Sequence, residues 1–428
     1  MKTVNLPYYF LLGFNIMTLL LYVLNPFNIG VPSNHWLTIF YISLCLFLFS
    51  LGFKRGIRKG RKKPALGNYR FTSFSKVNVN MYFAFFIMTF LLKYAYELRV
   101  PVFDFSSLIQ RVMLGISNPD LGYALTLRGP QSFSWSLYVV ICFIDGLFFV
   151  VNALYWKRLS KFNKSIFLVL CVFELLRWFA AGTSSGIIIM ATTVSLAFCC
   201  NMPHDYISRR KLIKVGLVLL AVFFLAVYAF QINMVGRAGG EFASNTLNKF
   251  NFNSDSWLFT NIISRFSDEF QYLFVYIAFY LVGGYYNFEY AFSCDYDWCF
   301  FCGSNTALTN ITDNILGMNI EALNYQTKIF QQFGVDPYIQ WHSCYLWLAN
   351  DFTLIGVPLV LYFIGKMSAY AFMLYRKFND LLSGVVFIIF ANMIILLFAN
   401  NNYMSTIFFS FAFFFPYWLF TRYVKLTR

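Results

Sequence analysis

The chain has 428 residues, of which 59% are hydrophobic and only 12% charged, and its net charge is +15. Soluble domains run near a quarter charged, so this composition excludes a soluble globular protein and indicates an integral membrane protein. It does not indicate a nucleic-acid partner, because the cations hug the ends of apolar runs.

Ten apolar runs approach the roughly 20 residues that a helix needs to cross the hydrocarbon core. They are Tyr8–Leu24, Trp36–Phe53, Val77–Tyr96, Phe133–Tyr155, Ile166–Ala181, Ile187–Met202, Leu212–Ile232, Phe352–Leu374, Leu381–Ala399 and Thr406–Arg422, the fifth and sixth being short. Each must be helical, because an unpaired backbone group in lipid costs several kcal/mol. No A-x-A-like cleavage site follows the first run, so it reads as a retained span. Lys54–Lys63, Trp156–Lys164, Ser208–Lys214, Arg376–Lys377 and the C-terminal tail carry the basic clusters, and ten spans put them all on one side. Positive-inside bias makes that side cytoplasmic, with both termini there. Of the 18 acids only Asp205 and Asp380 fall in those inner loops.

The first long outer segment, residues 97–132, holds Arg99, Arg111 and Arg128. Within the following spans stand Asp145, Glu174 and Arg177, and later Lys366; intramembrane charges are functional candidates by default. Glu174 and Arg177 lie three apart on one helical face, however, and can neutralise each other. No internal repeat of the kind found in inverted-topology transporters is visible.

The second outer segment, residues 233–351, is much longer and rich in Tyr, Phe and Trp. It opens with NMVGRAGGEFASN (Asn233–Asn245), in which Arg237 follows the seventh span closely and three glycines allow close backbone approach to a ligand. Glu241 stands four residues on as an orienting partner or proton acceptor; a Gly-rich exit turn is the plainer alternative. Lys249, Arg265 and Lys328 follow, so the outer cations number five Arg to two Lys. Arg carries the rigid planar fork that grips phosphate in two places, and the set points to a diphosphate at the outer face. Pairing with neighbouring acids competes with that reading, as for Arg265 with Asp268 or Glu269.

YLFVYIAFYLVGGYYNFEYAF (Tyr272–Phe292) begins like a membrane helix, yet meets a glycine pair after eleven apolar and aromatic residues. The seventh span exits outside and the eighth must return from outside, so this fragment crosses an even number of times or not at all. It is expected to break off at Gly283–Gly284 and to wall a cavity with Tyr285 and Tyr286. Cys294, Cys299, Cys302 and Cys344 also face outward; Cys299-x-x-Cys302 is half a zinc site with nothing to complete it, a disulfide within this region is the special role that suits them, and unpaired thiols are the plainer alternative. Near the end, Trp341, His342 and Tyr345 precede a helix whose first turns contain Asn350 and Asp351, where the dipole favours a carboxylate.

GGYYNFEYAF after a short apolar helix, and WHSCYLWLANDFTLIGVPLVLYFIG leading into three final spans, resemble the O-antigen polymerases of the Wzy type. In that family a His often precedes the Gly-Tyr-Tyr and a Gly follows it; here Gly283 and Asn287 stand in those places. The resemblance implies an all-α polytopic membrane protein similar to lipid-linked (GT-C-like) glycosyltransferases and O-antigen ligases. It would form a single integral membrane domain over residues 1–428, with about ten transmembrane helices and a re-entrant or surface helix near residues 268–292. It further implies residence in the bacterial inner membrane and metal-independent polymerisation of undecaprenyl-diphosphate-linked oligosaccharide. The implied partners are that substrate, membrane lipid and a chain-length regulator protein; no cofactor and no nucleic acid are implied.

The residues fit the same chemistry. The growing glycan passes to a sugar hydroxyl of the incoming unit and the lipid diphosphate departs, its developing charge met by Arg237, Arg265, Arg128 and Arg111. His342, Glu241 and Asp351 are the candidate bases. Tyr285, Tyr286 and Trp341 are candidates for stacking on sugar faces. The alternatives are an O-antigen ligase, which shares these features, and a lipid-linked oligosaccharide flippase, which would carry its polar residues along the spans.

Overall fold

A computed structural model of the chain describes residues 3–62, 79–101, 104–128, 135–181, 185–202, 210, 213, 251–337, 342–399 and 414–421. Among these the chain is helical, with no strand and one isolated β-bridge between Phe27 and Phe252. The principal helices are α1 (Leu6–Val23), α2 (His35–Lys62), α3 (Val79–Leu98), α4 (Phe105–Ser117), α5 (Pro119–Arg128), α6 (Trp135–Tyr155), α7 (Lys161–Ala180) and α8 (Ser185–Cys200). They continue with α9 (Asp268–Glu289), α10 (Tyr325–Phe333), α11 (Cys344–Phe378) and α12 (Leu381–Ile395), and a last helix covers 414–421. Helices thus stand at eight of the ten apolar runs. Of the seventh run only Ile213 is among the described residues, and the tenth is described in part.

Among the described residues three helical segments are long and apolar enough to cross a membrane: Leu6–Val23, Pro32–Lys62 and Cys344–Phe378. Their outward skin is apolar too. On α11, Ile355, Leu359 and Phe363 recur at i, i+4 and i+8, and all three are exposed. Such a stripe facing outward suits lipid, not water.

The closest helix pairing joins α2 to α11, and glycines make it possible. A Cβ on Gly52 would fall 2.0 Å from the Tyr362 carbonyl oxygen, one on Gly56 2.3 Å from that of Lys366, and one on Gly365 2.5 Å from that of Phe49. Gly52, Gly56 and Gly60 repeat every fourth residue and so form one smooth face, the small-residue stripe by which helices meet backbone to backbone in lipid. A larger core gathers α1, α2, α9, α11 and α12, and a smaller one gathers α3, α6 and α7 around Phe86 and Phe148.

Two elements depart from their sequence expectation. α9 does not break off at the glycine pair but runs through it to Glu289. Gly284 serves close packing: a Cβ there would lie 2.2 Å from the Phe398 carbonyl oxygen and 3.0 Å from the Ser343 nitrogen. The eighth apolar run begins earlier than Phe352 and is broken, because Thr353 takes φ 60° and ψ 162° inside α11. Its hydroxyl accepts from the Gly356 amide at 3.2 Å, so it starts the second half of the helix as an N-cap does.

Candidate functional site

The α1–α2 loop, the end of α9 and the start of α11 converge on one end of the molecule, the cap end. Glu289 lies at the centre of a polar cluster there, 1% exposed. Its carboxylate accepts from the Tyr22 hydroxyl of α1, from the Val31 amide at 2.7 Å, and from His35 Nδ1 at 3.1 Å. The Asn34 side chain donates to the Glu289 carbonyl at 3.1 Å. One turn earlier on α9, the Tyr286 hydroxyl donates to Asn25 at 2.9 Å and the Tyr285 hydroxyl pairs with that of Thr18 at 3.0 Å. The two tyrosines expected to wall a cavity are therefore buried and lock α9 to α1. Desolvation by burial is the main reason that the Tyr286 phenol is held above its ordinary range.

A second polar cluster ties a cap over α11. Asn350 accepts from the Tyr325 amide at 3.0 Å and donates to the Gly303 carbonyl and to Gln326, each at 2.9 Å. Asp351 accepts from the Gly303 amide at 3.0 Å, from the Ser304 amide at 2.7 Å, and from the Ser304 hydroxyl. Its carboxylate is thus engaged in holding a loop. Beneath this cap lies a cavity of about 410 Å³ between α11, α12 and the helix 414–421. Val360, Met367, Phe390 and Phe415 are among the apolar side chains that line most of it, and Ser304, Asn305 and Asp351 add the few polar groups on the cap side. The volume falls within the roughly 300–1,000 Å³ of ligand pockets.

The other expected site residues are dispersed. His342 precedes α11, is fully buried, and burial pushes its imidazole down to about 3, so it stays neutral. Arg111 is buried at the α4–α7 contact. Its guanidinium donates to the carbonyls of Leu98, Ala180 and Gly122 and to the Thr126 hydroxyl, which occupies most of its five donors with the fold itself. Arg265 ends a short turn, is exposed, and makes no ion pair with Asp268; the side chain of Glu269, the other partner considered, lies outside the described residues. Arg128 is the last residue of α5. Arg237, Glu241 and Trp341 lie outside the described residues.

Glu174 and Arg177 do pair, and the cluster is larger than the sequence suggested. Arg177 also meets Glu97 of α3, Lys93 stands 3.6 Å from Glu174, and the Trp178 indole donates to Glu174 at 3.0 Å. Two cations balance two acids, so the buried group is neutral as a whole. Cys294, Cys299, Cys302 and Cys344 are thiols, the plainer of the two readings of the outer cysteines, and the disulfide is not formed. The Cys299 thiol donates to Asn324 at 3.2 Å, and burial raises it to about 12. Among the described residues no group of His, Cys, Asp and Glu is arranged to hold a metal.

Reasoning from the sequence missed His35, Tyr22 and Tyr41 as partners of the cap end. One signal was available: Glu289 closes an otherwise apolar helix and needs donors. The chain was compared with protein-family models, with curated proteins and with solved structures, and none of them matches it.

Proposed function

We propose that the protein is a glycosyltransferase of the bacterial inner membrane that polymerises undecaprenyl-diphosphate-linked oligosaccharide repeat units at its outer face. In this reading ten helices cross the bilayer and the cap end faces outward. The observation that carries the proposal is the largely apolar cavity under the cap. The lipid chain of the substrate is assigned to Val360, Met367 and Phe390, and its head group to the cap end.

The reaction stores its energy in the diphosphate bond and requires no nucleotide. What it requires is positive charge where the leaving group develops its own. Arg237, Arg265 and Arg128 are assigned that role; Arg111 acts through the fold. Gene deletion tests the proposal. Surface glycan reduced to single repeats supports it, accumulation of finished lipid-linked polymer makes the protein a ligase instead, and unchanged glycan overturns both. Complementation with Arg237→Ala should leave single repeats, and Arg237→Lys should rescue poorly because the fork is lost.

A further inference from the structure

We propose that His35 is the base that takes the proton from the attacking sugar hydroxyl, and that Glu289 is the residue that positions it; this rests on the polymerase reading above. Glu289 already accepts from the Val31 amide and the Tyr22 hydroxyl, and the 3.1 Å contact of His35 Nδ1 with its Oε1 is assigned as a further donation, from Nδ1. Nε2 is then the basic edge. The His35 side chain is 14% exposed while that of Glu289 is 1% exposed, so the carboxylate is sealed and the imidazole is the more open member of the pair. This is the arrangement of a base oriented by a third group.

The orientation is fixed from several sides. The His35 ring packs 4.5 Å from that of Tyr22 and stacks at 6.3 Å with that of Tyr286, centroid to centroid. Glu289 is held in turn by the Val31 amide and the Tyr22 hydroxyl. Gly30 has φ +87°, and a Cβ there would fall 2.5 Å from Glu289 Oε2, so the loop is moulded around the carboxylate. The titratable groups against the imidazole are Tyr22 from α1 and Tyr286 and Glu289 from α9. Of the other candidate bases that the structure describes, His342 is fully buried and Asp351 is occupied by Gly303 and Ser304.

In the step assigned to the pair, the acceptor oxygen bonds to the anomeric carbon as its proton passes to Nε2. The bond from that carbon to the diphosphate breaks, and the diphosphate leaves with the electron pair. The imidazolium faces Glu289 and afterwards returns its proton to water, so no oxidant, reductant or metal enters the balance.

The test uses purified full-length protein and the lipid-linked oligosaccharide extracted from the deletion strain, with polymer formation followed against pH. His35→Gln should lose about 10²–10⁴-fold in rate, the range of a general base. Glu289→Gln should retain part of the rate but move the acid limb of the profile to lower pH, because the imidazolium loses its counter-charge. A loop clamp alone would lower the rate without moving the limb. Diethylpyrocarbonate labelling read by mass spectrometry should modify His35 ahead of His342 in the folded protein, and an unchanged unfolding midpoint for His35→Gln separates chemistry from misfolding. A full rate in His35→Gln, or an unmoved acid limb in Glu289→Gln, overturns the inference while the polymerase reading stands. A wild-type protein that makes no polymer overturns that reading and the inference with it.

Discussion

The Tyr41 hydroxyl of α2 donates to the Leu354 carbonyl of α11 at 2.7 Å, and that carbonyl is the one that Pro358 leaves without a helical donor. A proline four residues on has no N–H to offer, and in a nonpolar setting the orphaned carbonyl is costly. The second long apolar helix therefore repairs a defect in the eighth apolar run, just beyond its break at Thr353.

This gives a double-mutant prediction. Tyr41→Phe alone should destabilise by about 1–3 kcal/mol, the cost of an unpaired buried acceptor. Combined with Pro358→Ala, which restores a donor, the loss should shrink by more than about 0.5 kcal/mol relative to additivity. Denaturant unfolding in detergent measures it, and strict additivity would separate the two residues.

The glycine stripe on α2 predicts a contrast between two similar changes. Gly56→Ala drives a methyl into the Lys366 carbonyl and should cost about 1–3 kcal/mol or more. Gly13→Ala on α1 meets nothing within 4 Å and should stabilise by about 0.5–1 kcal/mol through helix propensity alone. Unfolding midpoints moving in the same direction would refute the close packing of α2 on α11.

Asp351→Ala removes the acceptor for two amides and a hydroxyl, and the cap over the cavity should loosen. Hydrogen exchange at residues 302–305 is expected to accelerate, with a loss of about 1–3 kcal/mol. Unchanged exchange there would show that the carboxylate does not hold the loop.

His342 predicts an acid dependence. Its folded imidazole protonates only near pH 3, whereas the unfolded one does so near 6.5. Between those values the unfolded chain binds the extra proton, so stability is present above about pH 6.5 and declines as pH falls toward 3. His342→Gln should flatten this slope in unfolding midpoints recorded from pH 7 to 4.5. An unchanged slope would assign the dependence to other groups.

Composition alone pointed to a membrane protein, because 59% apolar residues leave too few charges for a soluble surface. Helix positions were legible at Tyr8–Leu24 and Trp36–Phe53, since a long apolar run has only one way to satisfy its backbone in lipid. The Glu174–Arg177 pair was legible as well, because three residues span one helical turn. Tertiary structure alone decided what meets across the chain. Glu289 and His35 are 254 residues apart, and Tyr41 and Leu354 are 313 apart. The repeat Gly52, Gly56, Gly60 marks a packing face but does not name the helix that fills it. Local spacing fixes which face a residue occupies; only the packed bundle fixes which other face it meets, and hydrogen bonds between distant segments form where that packing brings donor and acceptor together.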